Sequence, residues 1–343
     1  MRILQNTLYV TSPESYLALD GENIVILREE KEVVRLPLHN LEGVVAFGYT
    51  GASPALMGAC AEKGIALSFL TPSGYFLARV TGGQQGNILL RKTQYRISDR
   101  EEESVQIARL MIAAKLYNCH SVLERATRDY ELRLDTETLH GTARYLLKKA
   151  QEAQNVTQLD SLRGLEGEAA QQYFAVFDQL ILQQKETFCF TGRTRRPPLD
   201  NINALLSFVY TLLAHELAAA LESVGLDPYA GFLHRDRPGR VSLALDLMEE
   251  LRAPMGDRFV LSLINKRMVT GKGFRRRENG AVMMDDETKK IIITAWQNRK
   301  QEELQHPFLQ EKLSWGLVPY AQALLLSRYL RGDLEAYPPF FWK

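Results

Sequence analysis

Residues 231–252 read Gly231-Phe-Leu-His-Arg-Asp-Arg-Pro-Gly-Arg-Val-Ser-Leu-Ala-Leu-Asp-Leu-Met-Glu-Glu-Leu-Arg252. The stretch opens on an imidazole, crosses a basic turn broken by Pro238 and Gly239, and ends in a segment of helical period. Val241, Leu243, Ala244, Leu245, Leu247, Met248 and Leu251 cover most of that helix's circumference, which predicts a largely buried element. Ser242, Asp246 and Glu249 share one narrow stripe at i, i+4 and i+7. Acids on such a stripe face water or a site. Read as a site, His234, Asp246 and Glu249 converge on a divalent cation; read blandly, the acids are solvated and the histidine caps a turn.

Around this stretch the chain is helical. Apolar residues spaced by three and four predict helices over 105–117, 121–135, 137–152, 157–184, 201–224, 242–252 and 256–267. Before residue 90 the pattern is different: short strands over 4–10, 16–20, 23–28, 32–37, 43–47, 65–70 and 75–80, with a helix over 54–63 ending at Gly64. The expected fold is therefore α+β, a strand-rich N-terminal domain (1–86) followed by a larger all-α domain (87–343). The glycine-rich run Thr81-Gly-Gly-Gln-Gln-Gly-Asn87 is the expected hinge, since no Lys-Ser or Lys-Thr follows to make it a phosphate loop. Thr270-Gly-Lys-Gly273 fails as a phosphate loop for the same reason.

Composition narrows the class. The chain has 343 residues, 45% hydrophobic and 24% charged, with a formal net charge of +1, which suits a packed core and excludes a uniformly basic surface. Residues 1–86 carry six Lys or Arg against eight Asp or Glu, so this domain reads as a dimer or partner interface and not as the main nucleic-acid surface. The three cysteines, at 60, 119 and 189, form no CxxC pair and fit a reducing compartment. No signal-peptide core is present at the start, and the most apolar helix is interrupted by His215 and Glu216, so the expected location is the cytoplasm, with no membrane contact.

A second acid lies in Asp160-Ser-Leu-Arg-Gly-Leu-Glu-Gly-Glu168. Glu166 projects along the apolar face with Leu162, Ala169, Ala170 and Tyr173. A carboxylate in that position requires a cation or a set of donors, either an arginine in an internal ion pair or a metal shared with His234 and Glu249. Gly164 and Gly167 weaken the helix, and the expectation is that something approaches its backbone closely. His215-Glu216 begins an HExxH pattern, but Ala219 stands where the second histidine belongs. His39, His120, His140 and His306 have no acidic constellation around them.

Basic residues cluster in three places. Arg193, Arg195 and Arg196 precede two prolines and Asp200, a good helix N-cap, so they sit on a constrained loop. Arg235, Arg237 and Arg240 flank the imidazole. Lys266, Arg267, Lys272, Arg275, Arg276 and Arg277 run without an intervening acid. With Arg163, these residues are the expected phosphate-tracking DNA surface. The end of the chain, Tyr337-Pro-Pro-Phe-Phe-Trp342, is too apolar for a free tail, and docks on its own core or on a partner.

Three blocks, Arg163-Gly-Leu-Glu-Gly167, Arg195-Arg-Pro-Pro-Leu-Asp-Asn-Ile-Asn-Ala-Leu-Leu-Ser207 and Gly231-Phe-Leu-His234 with Ser242-Leu-Ala-Leu-Asp-Leu-Met-Glu249, resemble the signature blocks of the CRISPR-associated integrase family, the spacer-acquisition nucleases. The wording of the last block is similar to the type I-C branch. The resemblance implies Mg2+ or Mn2+ held by Glu166, His234 and Glu249, with Asp246 assisting or sharing the ion. Many members have Asp where this chain has Glu249. It further implies phosphoryl transfer from a DNA 3′-hydroxyl to a phosphodiester at the repeat boundary, on double-stranded and branched DNA. The implied partners are a second copy of the chain, a small CRISPR-associated subunit and, in some systems, an iron-sulfur nuclease. Two other readings remain open: a metal-dependent nuclease that processes branched DNA without joining it, and a non-catalytic DNA-bridging scaffold.

Overall fold

The computed structural model describes residues 6–49, 51–72, 76–80 and 88–342. The expected hinge at 81–87 and the outermost residues of the first and last expected N-terminal strands, 4, 5 and 75, lie outside the described residues. The chain divides into two compact units, Met1–Gly86 with Met284–Glu302, and Asn87–Met283 with Glu303–Lys343. The helical half thus does not run unbroken from 87 to 343, because the segment 284–302 is contributed to the strand-rich unit.

In that first unit β1 (Asn6–Val10), β5 (Leu41–Phe47) and β6 (Ala66–Leu70) pair in parallel, and β7 (Phe76–Val80) closes the sheet antiparallel to β6. A second, antiparallel sheet is formed by β2 (Tyr16–Asp20), β3 (Asn23–Arg28) and β4 (Lys31–Pro37). A parallel β5–β6 pair needs a crossover, and α1 (Pro54–Lys63) supplies it. Ser53 caps its start by accepting from the Leu56 amide, and Gly64, the expected stop, ends it in the left-handed region at φ +68. Leu17, Ile24, Leu38, Val44, Leu56, Cys60 and Leu67 form the common core. The late helix α9 (Asp286–Gln301) joins this unit through Gln297, which donates to the Thr7 carbonyl at 2.9 Å, and Lys289, which donates to the Pro72 carbonyl at 2.6 Å.

The second unit is built around one long helix. The two helices expected over 105–117 and 121–135 are a single α3 (Glu101–Asp129), whose Asn118, in the gap between them, finds partners inside the core. Helices α4 (Thr136–Ala153), α5 (Leu159–Val176) and α7 (Ser242–Leu251) pack on α3, and α6 (Asn201–Ser223) packs on α7. Helix α6 is long and apolar enough to cross a membrane, but 61% of its apolar window is buried inside the protein as a core helix. Asp200 caps it, accepting from the Asn203 amide at 2.7 Å.

The expected break between 252 and 256 is a π-helical turn, Arg252–Asp257, that joins α7 to α8 (Arg258–Asn265). Pro254 cannot donate to an α-helical ladder, and a widened turn absorbs it without ending the helix. The remaining elements are α2 (Ile88–Ser98), α10 (Val318–Leu330) and two small hairpins, β8 (Phe274–Arg276) with β9 (Val282–Met284) and β10 (Glu303–Gln305) with β11 (Lys312–Ser314).

The aromatic tail docks on its own unit. The Phe340 amide donates to Glu250 at 2.8 Å, the Trp342 amide donates to Asn118 at 2.7 Å, and Arg258 stacks 4.2 Å over the Trp342 ring. Glu250 also accepts from the Tyr337 hydroxyl at 2.7 Å and the Gln322 amide at 2.9 Å. These donors are neutral, and burial outweighs them, pushing the Glu250 carboxyl up to about 8 from its usual 4.5. Between those two values the folded protein holds a proton that the unfolded chain has lost, so stability falls as pH rises through the window and levels off above it. Glu250→Gln is expected to flatten this slope, read as unfolding midpoints in urea from pH 4.5 to 8.5.

Candidate active site

The site forms where α3, α5 and α7 meet the loop 231–241. The loop reaches α7 closely because residue 231 is glycine: a Cβ there would lie 2.8 Å from the Ser242 Cβ and 2.9 Å from Asp246 Oδ2. With that space clear, the fully buried Asp246 carboxylate accepts the backbone amides of Phe232, Leu233 and His234 at 2.6, 2.9 and 3.0 Å. It also contacts His234 Nδ1 at 2.5 Å. A carboxylate oxygen can only accept from the ring, so Nδ1 donates to Asp246 and Nε2 is the ring nitrogen outside this contact. Arg163 fixes the loop from α5, with Nε and Nη2 donating to the Leu233 carbonyl at 3.0 and 2.6 Å. Asp246 is therefore the residue that shapes and orients the histidine loop, with its oxygens already engaged.

Glu166 on α5 and Glu249 on α7 face the same point, which is occupied by the ammonium of Lys115 from the middle of α3. Lys115 Nζ donates to Glu166 Oε1 and lies 2.7 Å from Glu249 Oε2. Arg252 Nη2 holds the other Glu249 oxygen at 2.7 Å. Burial alone would raise the Glu249 carboxyl, but the charges of Arg252 and Lys115 outweigh it and hold it well below the usual carboxylate range. Burial likewise opposes the Lys115 charge, and Glu249 and Glu166 together keep its ammonium above its ordinary value. The internal ion pair open for Glu166 from sequence is real, and its cation is a lysine.

Behind this pair lies a second polar cluster. Asp257, in the π turn, accepts from the hydroxyls of Tyr173, at 3.1 Å, and Tyr210. Gly256 permits that approach, since a Cβ there would stand 3.0 Å from the Tyr210 ring. Burial pushes Asp257 up to about 6. Arg193 and Arg252 stack on Tyr210 at 5.3 and 5.0 Å.

Among the described residues no three His, Cys, Asp or Glu side chains are gathered at coordination distance. Lys115 stands in the position that a shared cation would take. The donors nevertheless suit a hard divalent ion: two carboxylates close enough to contact one ammonium, and an imidazole with Nε2 outside its Asp246 contact. Glu249 Oε2 lies buried beside Lys115 Nζ without an aligned hydrogen bond, leaving a lone pair unclaimed.

The basic residues fall into two groups. Arg163 holds the histidine loop, and the largely buried Arg193 donates to the Thr194 carbonyl and to Asn203, both at 2.6 Å. Arg235 pairs with Asp160 at 2.9 Å, Arg267 donates to Gln183 at 2.8 Å, and Arg276 donates to the Leu199 carbonyl at 3.1 Å. Arg195, Arg196, Arg237, Lys266, Lys272, Arg275 and Arg277 are exposed, and Arg240 is half-buried. Gly164 and Gly167 correct another expectation. No atom lies within 4 Å of a Cβ at either position, and both are exposed, so nothing within the chain approaches the helix there.

Sequence reasoning missed Lys115, Arg252, Asp257 and Tyr210. The legible signal was Lys115, a lone charge among Met111, Ile112, Ala114, Leu116 and Cys119 on a helix buried nearly all round.

The family model described as CRISPR associated protein Cas1 matches residues 8–298. This chain belongs to the Cas1 family. It is 50% identical over 338 residues, 98% of each chain, to CRISPR-associated endonuclease Cas1 1 of Chlorobaculum tepidum. It is 51% identical over 350 residues, covering all of both chains, to CRISPR-associated endonuclease Cas1 2 of Rhodospirillum rubrum. Among solved structures, a chain of a Cas6-RT-Cas1–Cas2 complex superposes with a TM-score of 0.81 at 25% identity, over 99% of this chain and 36% of that one. The strand-rich start and helical remainder are thus the arrangement of Cas1 proteins.

The geometry separates two kinds of acid in the site. Asp246→Ala leaves three buried amides without an acceptor and is expected to cost about 3 kcal/mol of unfolding free energy. Glu166→Gln, at a half-exposed rim position and with Glu249 still paired to Lys115, is expected to cost less, about 1–2 kcal/mol. Urea unfolding of the two variants checks the contrast.

Proposed function

We propose that this Cas1-family chain is a metal-dependent DNA integrase and endonuclease that inserts DNA fragments into a repeat array by attack of a DNA 3′-hydroxyl on a phosphodiester. The observation that supports this reading is that Glu166 and Glu249 meet on one buried ammonium, Lys115, one turn along α7 from the Asp246 carboxylate that holds His234. Two carboxylates and an imidazole would hold Mg2+ or Mn2+ there, and the ion would supply charge stabilisation to the phosphorus under attack and acidify the nucleophile. The chain's own residues do the rest. Asp246 and Arg163 fix the histidine loop, Arg252 orients Glu249, and exposed arginines and lysines guide the phosphate backbone. With water in place of the hydroxyl, the same arrangement cleaves.

The assembly follows the same reading. Double-stranded and branched DNA are the substrates. A second copy of this chain, a small Cas2-type subunit and, in the fullest assembly, an iron-sulfur nuclease are the partners, with the acidic strand-rich unit 1–86 as the interface. The similar complex containing Cas1 and Cas2 supports the small partner. The last signature block supports the type I-C branch, and the cytoplasm is the proposed location.

The decisive experiment is a strand-transfer assay on a repeat-containing plasmid with Mn2+ and the small partner. Glu166→Ala and His234→Ala are expected to lower joining by at least about a hundredfold while DNA binding and the native circular dichroism spectrum are kept, and EDTA is expected to abolish the wild-type reaction. Cleavage without joining under every condition identifies a plain nuclease, and chelator-insensitive binding without either identifies a scaffold.

The surface arginines have a separate readout. Replacing Arg275 and Arg277 with Ala is expected to reduce the slope of log affinity against log salt by about two, close to one unit per phosphate contact. Arg193→Ala is expected to lower the thermal midpoint and leave that slope unchanged, because Arg193 spends its donors inside the fold.

A further inference from the structure

We propose that Lys115 is a displaceable counter-ion: it neutralises Glu166 and Glu249 while no divalent ion is bound, and swings to a second berth at Asp257 when one binds. The inference rests on the metal reading above and concerns what this chain must do to accept the ion.

Three observations lead to it. First, the two acids that would face the ion are already neutralised. Glu166 and Glu249 are matched by Lys115 and Arg252 at contact distance, so a divalent ion adds two uncompensated positive charges unless a resident cation leaves. Arg252 is tied down by Glu249 and by its stack on Tyr210. Lys115 is the mobile member, a point charge on a flexible stem of four methylenes.

Second, Lys115 has somewhere to go. A small cavity beside its stem is lined by Lys115, Cys119, Ala170, Tyr173, Arg252 and Asp257. Lysine and aspartate therefore border one space, and the alanine on α5 leaves it open.

Third, among the described residues no cation contacts the berth, which Arg252 and Arg193 reach only through longer-range attraction. Asp257 takes hydrogen bonds from two tyrosine hydroxyls and, among the described residues, forms no ion pair. An ammonium arriving there would find a buried carboxylate with neutral donors already in place, which offsets the cost of moving a charge within a dry interior. Leaving Lys115 in place would put it beside the incoming ion at like charge.

The test measures Mn2+ binding by the full-length protein without DNA, using the electron paramagnetic resonance signal of free Mn2+, with circular dichroism to confirm folding. Lys115→Met is expected to bind Mn2+ about tenfold or more tightly than wild type, a shift of about 1.4 kcal/mol. Asp257→Asn, which removes the berth, is expected to bind about tenfold more weakly. The double variant is expected to match Lys115→Met, since without an ammonium the berth has no occupant, and this non-additivity separates relocation from a general loosening of the fold. Lys115→Met binding no more tightly than wild type overturns the proposal, as does an Asp257→Asn loss that persists in the double variant. If Lys115→Met does not fold, Lys115→Gln takes its place and Asp257→Asn alone still decides, with unchanged affinity overturning the berth. Absence of Mn2+ binding in wild type and every variant removes the metal reading itself, an outcome distinct from equal, measurable affinities.

Discussion

One ammonium bridging two carboxylates from different helices is the contact on which the catalytic unit depends. Lys115 is carried at the centre of α3, the helix against which α4, α5 and α7 all pack, so a charge placed there reaches whatever those helices turn inward. Its neighbours, Ala113, Ala114, Leu116 and Cys119, are apolar and buried. A lysine in such surroundings is tolerated only with full compensation, and Glu166 and Glu249 provide it. The converse also holds. Two acids from separate helices would repel across this interface, and the shared cation lets α5 and α7 approach each other. Packing and site chemistry are thus one constraint.

The residues flanking this bridge divide the labour around the axis of α7. Asp246 and Glu249 turn toward the site, one turn apart. Asp246 is consumed by the backbone of the histidine loop, leaving Glu249 to face the cation. Glu250, next in sequence, points to the other side and grips the tail through Tyr337, Gln322 and the Phe340 amide. Asn118 on α3 ties the two sides together, donating to the Glu250 and Phe340 carbonyls and accepting from Trp342. The aromatic end of the chain is therefore a clamp on the helix that presents Glu249. The π turn continues the arrangement: Arg252, at its first position, reaches Glu249 three residues back, and Asp257, at its last, meets the tyrosines.

Much of this was legible in residue order, for identifiable reasons. Strands and the helix end in the first unit follow period-two alternation and Gly64, both local signals. The convergence of Glu166 with the loop-and-helix block was legible because a carboxylate on an apolar face must meet a cation. Which cation was not legible, since the partner lies 51 residues upstream in a helix whose periodicity simply reads as core. Asp246 and Glu249 share a stripe and look equivalent in projection. Only the close approach of the glycine-led loop, a tertiary fact, makes one a scaffold and the other a site acid. The segment 284–302 falls inside the expected second domain because nothing in its order says which core it covers, and it packs with the first unit.

The arginines make the same point about charge. A basic residue in sequence carries no mark of whether its donors face phosphate or protein. Arg193 looked like part of a phosphate loop because two prolines stiffen its approach, yet that stiffness delivers it inward to Asn203 and the face of Tyr210. From there it lies across Tyr210 from Arg252, the residue that holds Glu249. Two guanidinium groups on one ring face repulsion that only nearby anions offset, and the Asp257 carboxylate at the edge of the same ring is placed to do so. The loop that leads to the exposed Arg195 and Arg196 is thereby anchored to the cluster behind the candidate metal site. The outer arginines and the electrostatics of Glu249 thus share one structural element, rooted at the Tyr210 ring.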